Sequence, residues 1–145
     1  MASIHCIVSS PEGLVFEGDA TSVVVPAEDG ELGILPRHTR LVAKLGAGEV
    51  RIRATAVTVM RGASQPATGA IHYFVEGGFA YVAEDQVSVL ATTALSLDTL
   101  RKADAQEEVA AVERSRPGRG APIEELEAHT ESLRVAKRKA RLARG

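Results

Sequence analysis

The chain changes its hydrophobic period once, and that change limits the folds open to it. Up to about Leu90, short runs of Val, Ile and aromatic residues are cut repeatedly by glycine, proline and acidic turn formers. Ile4, Cys6 and Val8 alternate with more polar neighbours, Leu14 and Phe16 alternate again, and Val50, Ile52 and Ala54 interleave with Arg51 and Arg53. A period of two puts such residues on one face of a strand. Turn chemistry separates the runs at 10–13, 28–30, 46–48, 61–66, 77–78 and 84–85. Strands this closely spaced predict a β-sandwich or flattened barrel of about ten strands.

The texture turns helical after the Ala91-Thr92-Thr93-Ala94 stretch. Between Ser96 and Ser115 there is neither glycine nor proline and good helix formers dominate, with Ser96 placed as an N-cap and Asp98 in the first turn. Residues 116–121, Arg-Pro-Gly-Arg-Gly-Ala, break that helix, and Pro122 restarts a second one where its missing N–H costs nothing. The fold class is β + α: a β-sandwich domain over residues 1–93, then an antiparallel αα hairpin over 94–145. Ile123, Leu126, Thr130 and Leu133 form a thin stripe on the second helix, predicting a weakly docked hairpin.

Composition narrows the function classes. With 145 residues, 45% of them hydrophobic, the chain can bury one core and carry a small appendage. A net charge of -2 offers no general attraction to nucleic acid, and an aromatic content of 3% supplies few stacking platforms. The single Cys6 and an N-terminus without a signal-peptide pattern point to a reducing cytoplasm. No apolar run reaches the roughly 18 residues needed to cross a bilayer.

No catalytic constellation is present. His5, His38, His72 and His129 lack metal-ligand spacing, so no metal site is expected. The Glu124-Glu125 pair lies in an exposed first turn, where nothing raises a pKa for acid catalysis. Gly77-Gly78 lacks the surroundings of a phosphate loop and reads as a tight strand connection. Segment 29–38 is different, because Leu32, Ile34 and Leu35 sit between two glycines and a proline. Such a segment either plugs its own sandwich or meets another protein, and the residues alone leave both readings open.

The string Gly30-Glu31-Leu32-Gly33-Ile34-Leu35-Pro36-Arg37-His38 resembles the G-E-x-G-I-x-P-x-H signature of bacterial F-type ATP synthase epsilon subunits, the counterpart of mitochondrial delta. The likeness continues in order through Pro11-Glu12-Gly13-Leu14-Val15-Phe16-Glu17-Gly18, Val75-Glu76-Gly77-Gly78-Phe79-Ala80-Tyr81-Val82 and Val89-Leu90-Ala91-Thr92-Thr93-Ala94. It implies a non-catalytic rotor subunit of the central stalk, peripheral to the cytoplasmic face of the bacterial plasma membrane, that couples proton flow to ATP synthesis. By the same resemblance, Glu31, Leu32, Gly33, Ile34, Pro36 and His38 face the gamma subunit and the c-ring, with Leu32, Ile34 and Leu35 exposed before assembly. Arg134 and Arg138 on the second helix would meet the alpha/beta catalytic hexamer and inhibit ATP hydrolysis.

No cofactor is required on this reading. Some members of the family bind ATP through an [IL]-D-x-x-R-A motif, which Leu97-Asp98-Thr99-Leu100-Arg101-Lys102 resembles, making Asp98 and Arg101 the candidate ATP contacts. Lys102 replaces the motif's alanine, and Ala128 and Ser132 stand where second-helix arginines belong, so ATP sensing is the weaker reading. Segment 62–70 is a longer connection than the family's compact hairpin. A nucleotide sensor and a stand-alone sandwich that recruits other proteins are the competing functions.

Overall fold

The computed structural model describes residues 2–61, 69–97 and 102–143. Among these, seven strands precede two helices: β1 (Ile4–Ser10), β2 (Gly13–Ala27), β3 (Gly30–Ile34), β4 (Leu41–Lys44), β5 (Ala47–Met60), β6 (Gly69–Ala83), β7 (Gln86–Ser96), α1 (Lys102–Arg114) and α2 (Ile123–Leu142). β1 pairs with β2 in antiparallel and with β7 in parallel orientation, so β1, β7, β6, β5 and β2 close on themselves. β3 extends the ladder from the second half of β2, and β4 from the second half of β6.

Seven strands replace the expected ten or so because several expected breaks are bends within continuous strands. Gly77 and Gly78 lie inside β6 at φ 67° and 104°, not in a connection. Two successive left-handed residues reverse the alternation: Tyr73 and Val75 point inward before them, Ala80 and Val82 after them. A side chain at Gly78 would place its Cβ 2.0 Å from the Leu90 carbonyl oxygen, so only glycine fits. β2 bends by another route: Val8 faces Phe16 and Ser9 faces Leu14, which leaves Val15 as an extra residue, and both Val15 and Phe16 are buried.

The core follows the predicted alternation elsewhere. Ile4, Cys6 and Val8 of β1 and Val50, Ile52 and Ala54 of β5 are buried. Phe16 and Tyr73 meet edge to face across the interior, with ring centroids 6.3 Å apart.

Contact density divides the chain into two compact units, 1–99 and 100–145. Ser96 is no helix cap: it pairs with Tyr73 in the β6–β7 ladder, and Leu97 donates its N–H to the His72 carbonyl. Sheet pairing has won over local helix propensity there. In the second unit Pro122 precedes the first helical residue, and its carbonyl accepts the N–H groups of Glu125 and Leu126. The predicted stripe on α2 is rotated. Ile123 and Leu126 are 68% and 45% exposed and Thr130 is exposed, whereas His129, Leu133, Ala136 and Ala140 are the more covered positions. Within the pair, His129 donates from Nε2 to the Val112 carbonyl at 2.8 Å and Lys139 meets Glu108 at 2.9 Å. Of the expected long connection at 62–70, residues 62–68 lie outside the described residues.

Candidate protein interface

β3 is short, and its pairing with β2 decides where the candidate residues point. Val23 faces Ile34 and Val25 faces Leu32, so Leu32 and Ile34 share the inward side with those buried valines. Ile34 is fully buried and Leu32 is half-buried against the core. Of the three apolar residues expected on the surface, only Leu35 remains there, 60% exposed. The segment therefore plugs the sandwich with two side chains and offers one. Glu31 is exposed but pairs with Arg51 at 2.8 Å, Gly33 faces open space, and Pro36 and His38 are half-buried.

The turn after β3 is held by polar contacts. His38 donates its N–H to the Leu35 carbonyl, and its ring Nδ1 lies 2.8 Å from the Thr39 carbonyl. Arg37 adopts a left-handed backbone at φ 67°, which costs a non-glycine residue roughly 1 kcal/mol. Its N–H donates to the Asp85 carboxylate at 2.6 Å, and Arg40 pairs with Glu84 at 2.9 Å. The signature turn is thus fastened to the β6–β7 hairpin.

β4, β6 and β7 together present a second surface that sequence patterning missed. Phe79 stands between Lys44 and Leu90, and Tyr81 between Val42 and Ser88, in two adjacent cross-strand rows. Val42, Phe79, Tyr81 and Leu90 are 64%, 52%, 47% and 56% exposed, with Lys44–Glu28 and Arg40–Glu84 ion pairs among their neighbours. The glycine pair in β6 hides this from a simple alternation count, because it changes which parity faces out. Large aromatic residues on an outer sheet face inside a charged rim have the composition of a protein interface.

On the β1–β2 side, His5 donates from Nδ1 to Asp19 at 3.0 Å and from Nε2 to Glu17 at 2.8 Å. Carboxylates only accept, so both bonds form together only with the imidazolium. The hydrogen bond to Asp19 and then that to Glu17 raise the His5 pKa above its ordinary 6.5. Among the described residues, no group of three or more His, Cys, Asp or Glu side chains is arranged to hold a metal ion. Burial pushes the Cys6 thiol up to about 12, which leaves it unreactive.

In the helical unit, Arg134 forms a two-pronged pair with Glu131, Nε to Oε2 at 3.1 Å and Nη2 to Oε1 at 2.8 Å. That contact lowers the Glu131 pKa and raises that of Arg134. Arg138 is exposed on the same helix, one turn further on. Asp98 and Arg101, the ATP candidates, lie outside the described residues.

The beta-sandwich domain pattern of ATP synthase delta/epsilon chains matches residues 3–97. The chain belongs to the ATP synthase delta/epsilon family. The ATP synthase epsilon chain of Thioalkalivibrio sulfidiphilus is 34% identical over 137 residues, spanning 94% of this chain and 89% of the relative. That of Bordetella avium is 35% identical over 150 residues, spanning 83% and 99%. Among solved structures, a chain of the Euglena gracilis mitochondrial ATP synthase superposes with a TM-score of 0.72 at 16% identity, covering 95% of this chain and 79% of its own length. A central stalk/c-ring chain of the Tetrahymena thermophila enzyme gives 0.60 at 13% identity, covering 94% and 96%. At those identities the structural likeness speaks for the fold. Family and relatives agree that this is a delta/epsilon-type chain of ATP synthase.

Proposed function

We propose that this epsilon-type chain is a rotor subunit that couples proton flow to ATP synthesis by joining the gamma subunit to the c-ring. The observation that carries the reading is the apolar outer face of Val42, Phe79, Tyr81 and Leu90. Fully burying a large apolar side chain contributes about 1.5–3 kcal/mol, and these four begin about half exposed, so covering them together favours association by several kcal/mol before entropic costs. The gamma subunit is the partner we assign to this face. Leu35 at the tip of the signature turn is assigned to the junction with the c-ring. No described helix is long and apolar enough to cross a membrane. We place the chain at the cytoplasmic face of a bacterial plasma membrane, held there through the complex.

Arg134 and Arg138 are assigned to an acidic surface of the alpha/beta hexamer, where α2 restrains ATP hydrolysis. Arg134 must exchange Glu131 for the new partner, and that solvent-exposed, screened pair holds it only weakly. No nucleotide is needed for this role.

The test is co-purification with gamma. Wild-type chain is expected to form a one-to-one complex, and the Phe79→Ser/Tyr81→Ser variant to lose it while remaining folded, since neither ring is in the core. Retention of full gamma binding by that variant removes the assignment of this face. Truncation after Thr99 is expected to preserve gamma binding and raise the ATPase activity of the reconstituted enzyme. Unchanged activity removes the inhibitory role.

A further inference from the structure

Strained backbone is confined to one place among the described residues. The non-glycine residues with left-handed φ are Arg37, Glu84 and Asp85, at 67°, 51° and 58°. They are far apart in sequence yet meet at one junction. Glu84 and Asp85 form the two-residue turn between β6 and β7, a conformation that ordinarily takes Asn-Gly or Asp-Gly. Asp85 reaches from that turn in two directions: its carboxylate accepts the Arg37 N–H, and its carbonyl accepts the His5 N–H at 2.9 Å. Glu84 takes the Arg40 guanidinium. The turn therefore gathers the start of β1 and the whole of loop 35–40.

Relaxed residues would close the β6–β7 hairpin with less strain. Strain retained where three segments converge, beside an exposed leucine, is the pattern of a surface held in one conformation for a purpose. We propose that Asp85 is a positioning residue for docking: by accepting the Arg37 N–H it holds Arg37 left-handed and presents Leu35 to the partner surface. This rests on the assignment of the signature turn to the stalk and ring. The Asp85 side chain meets the turn by accepting a backbone N–H, so on this proposal the acceptor oxygen matters and the negative charge does not.

Two variants separate the acceptor from the rest of the residue. Asp85→Gly and Asp85→Asn both suit a left-handed turn, so both keep the hairpin. Asparagine retains a carbonyl oxygen for Arg37, and glycine does not. Affinity is measured for purified gamma and, separately, for gamma bound to detergent-solubilised c-ring, alongside hydrogen exchange of the Arg37 amide by NMR. Asp85→Gly is expected to weaken binding to the gamma–c-ring complex about five- to tenfold, the scale of one ordinary hydrogen bond. It is also expected to speed exchange of the Arg37 amide severalfold, while Asp85→Asn stays within about twofold of wild type on both counts. Binding by Asp85→Gly at the wild-type level, or equal losses in the two variants, overturns the proposal. If wild-type chain bound neither gamma nor the ring complex, the stalk reading itself would fall. Arg37 exchange unchanged in Asp85→Gly would sink the positioning role independently of any partner.

Discussion

The sandwich and the helical hairpin differ in what they bury. The sandwich encloses Phe16, Tyr73, Ile52 and a set of valines with no exposed surface, tied by ladders on every side. Among the described residues of the hairpin, the buried positions are alanines: Ala105, Ala136 and Ala143. A buried methyl or methylene contributes about 0.8 kcal/mol, so the hairpin holds little hydrophobic stabilisation and leans on contacts such as His129–Val112 and Lys139–Glu108. Short helices with so little apolar cover are marginal in water, and their conformation follows the surface they are given. One chain thus combines a well-packed sandwich with a helical pair of low stability.

The sharpest way to break the comparison is to attack the sandwich. Gly78→Val forces a Cβ against the Leu90 carbonyl at a φ that L-residues rarely adopt, and a loss on the order of 5 kcal/mol or outright failure to fold is expected in urea denaturation. Phe16→Ala should cost about 3–5 kcal/mol by the same measurement, through lost burial and the cavity left beside Tyr73. The hairpin should respond far less: Leu133→Ala, at a half-covered seam position, is expected to cost about 1 kcal/mol, read from the helical circular-dichroism signal. A loss as large as that of Phe16→Ala would show the hairpin to have a genuine core and end the contrast. Glu108→Gln removes the partly covered pair with Lys139 and should lower hairpin stability by about 0.5–1 kcal/mol, less at high salt.

The smallest expected effect is pH-dependent and belongs to the sandwich. Because the folded state raises the His5 pKa, its contribution is fully present below the unfolded value and fades as pH rises through the folded one. His5→Gln should therefore destabilise the protein by under about 1 kcal/mol near pH 5.5, and its difference from wild type should shrink toward alkaline pH. A difference that grows with pH would show that the clamp of Glu17 and Asp19 on the imidazolium is not the source.

Much of the architecture was legible because alternation is a local property. Val50, Ile52 and Ala54 read as inward-facing from their neighbours alone, and they are buried. The order of sandwich then hairpin followed from where glycine and proline stop. The candidate interface was only half legible. The signature marked a turn, yet its apolar content did not say that Ile34 faces in and Leu35 out, which depends on register with Val23. The face around Phe79 and Tyr81 escaped notice because a bend at two glycines inverts inside and outside beyond it.

Short-range sterics and side-chain spacing are written into the chain itself. They determined that an all-β body carries a helical pair and that Val50, Ile52 and Ala54 share one face. Pairing between distant segments decided the rest: seven bent strands instead of about ten, Ser96 in a strand instead of a cap, and Arg37 held by Asp85. Each of those outcomes is a competition between a local preference and a partner dozens of residues away, and the partner's position exists only once the chain has folded.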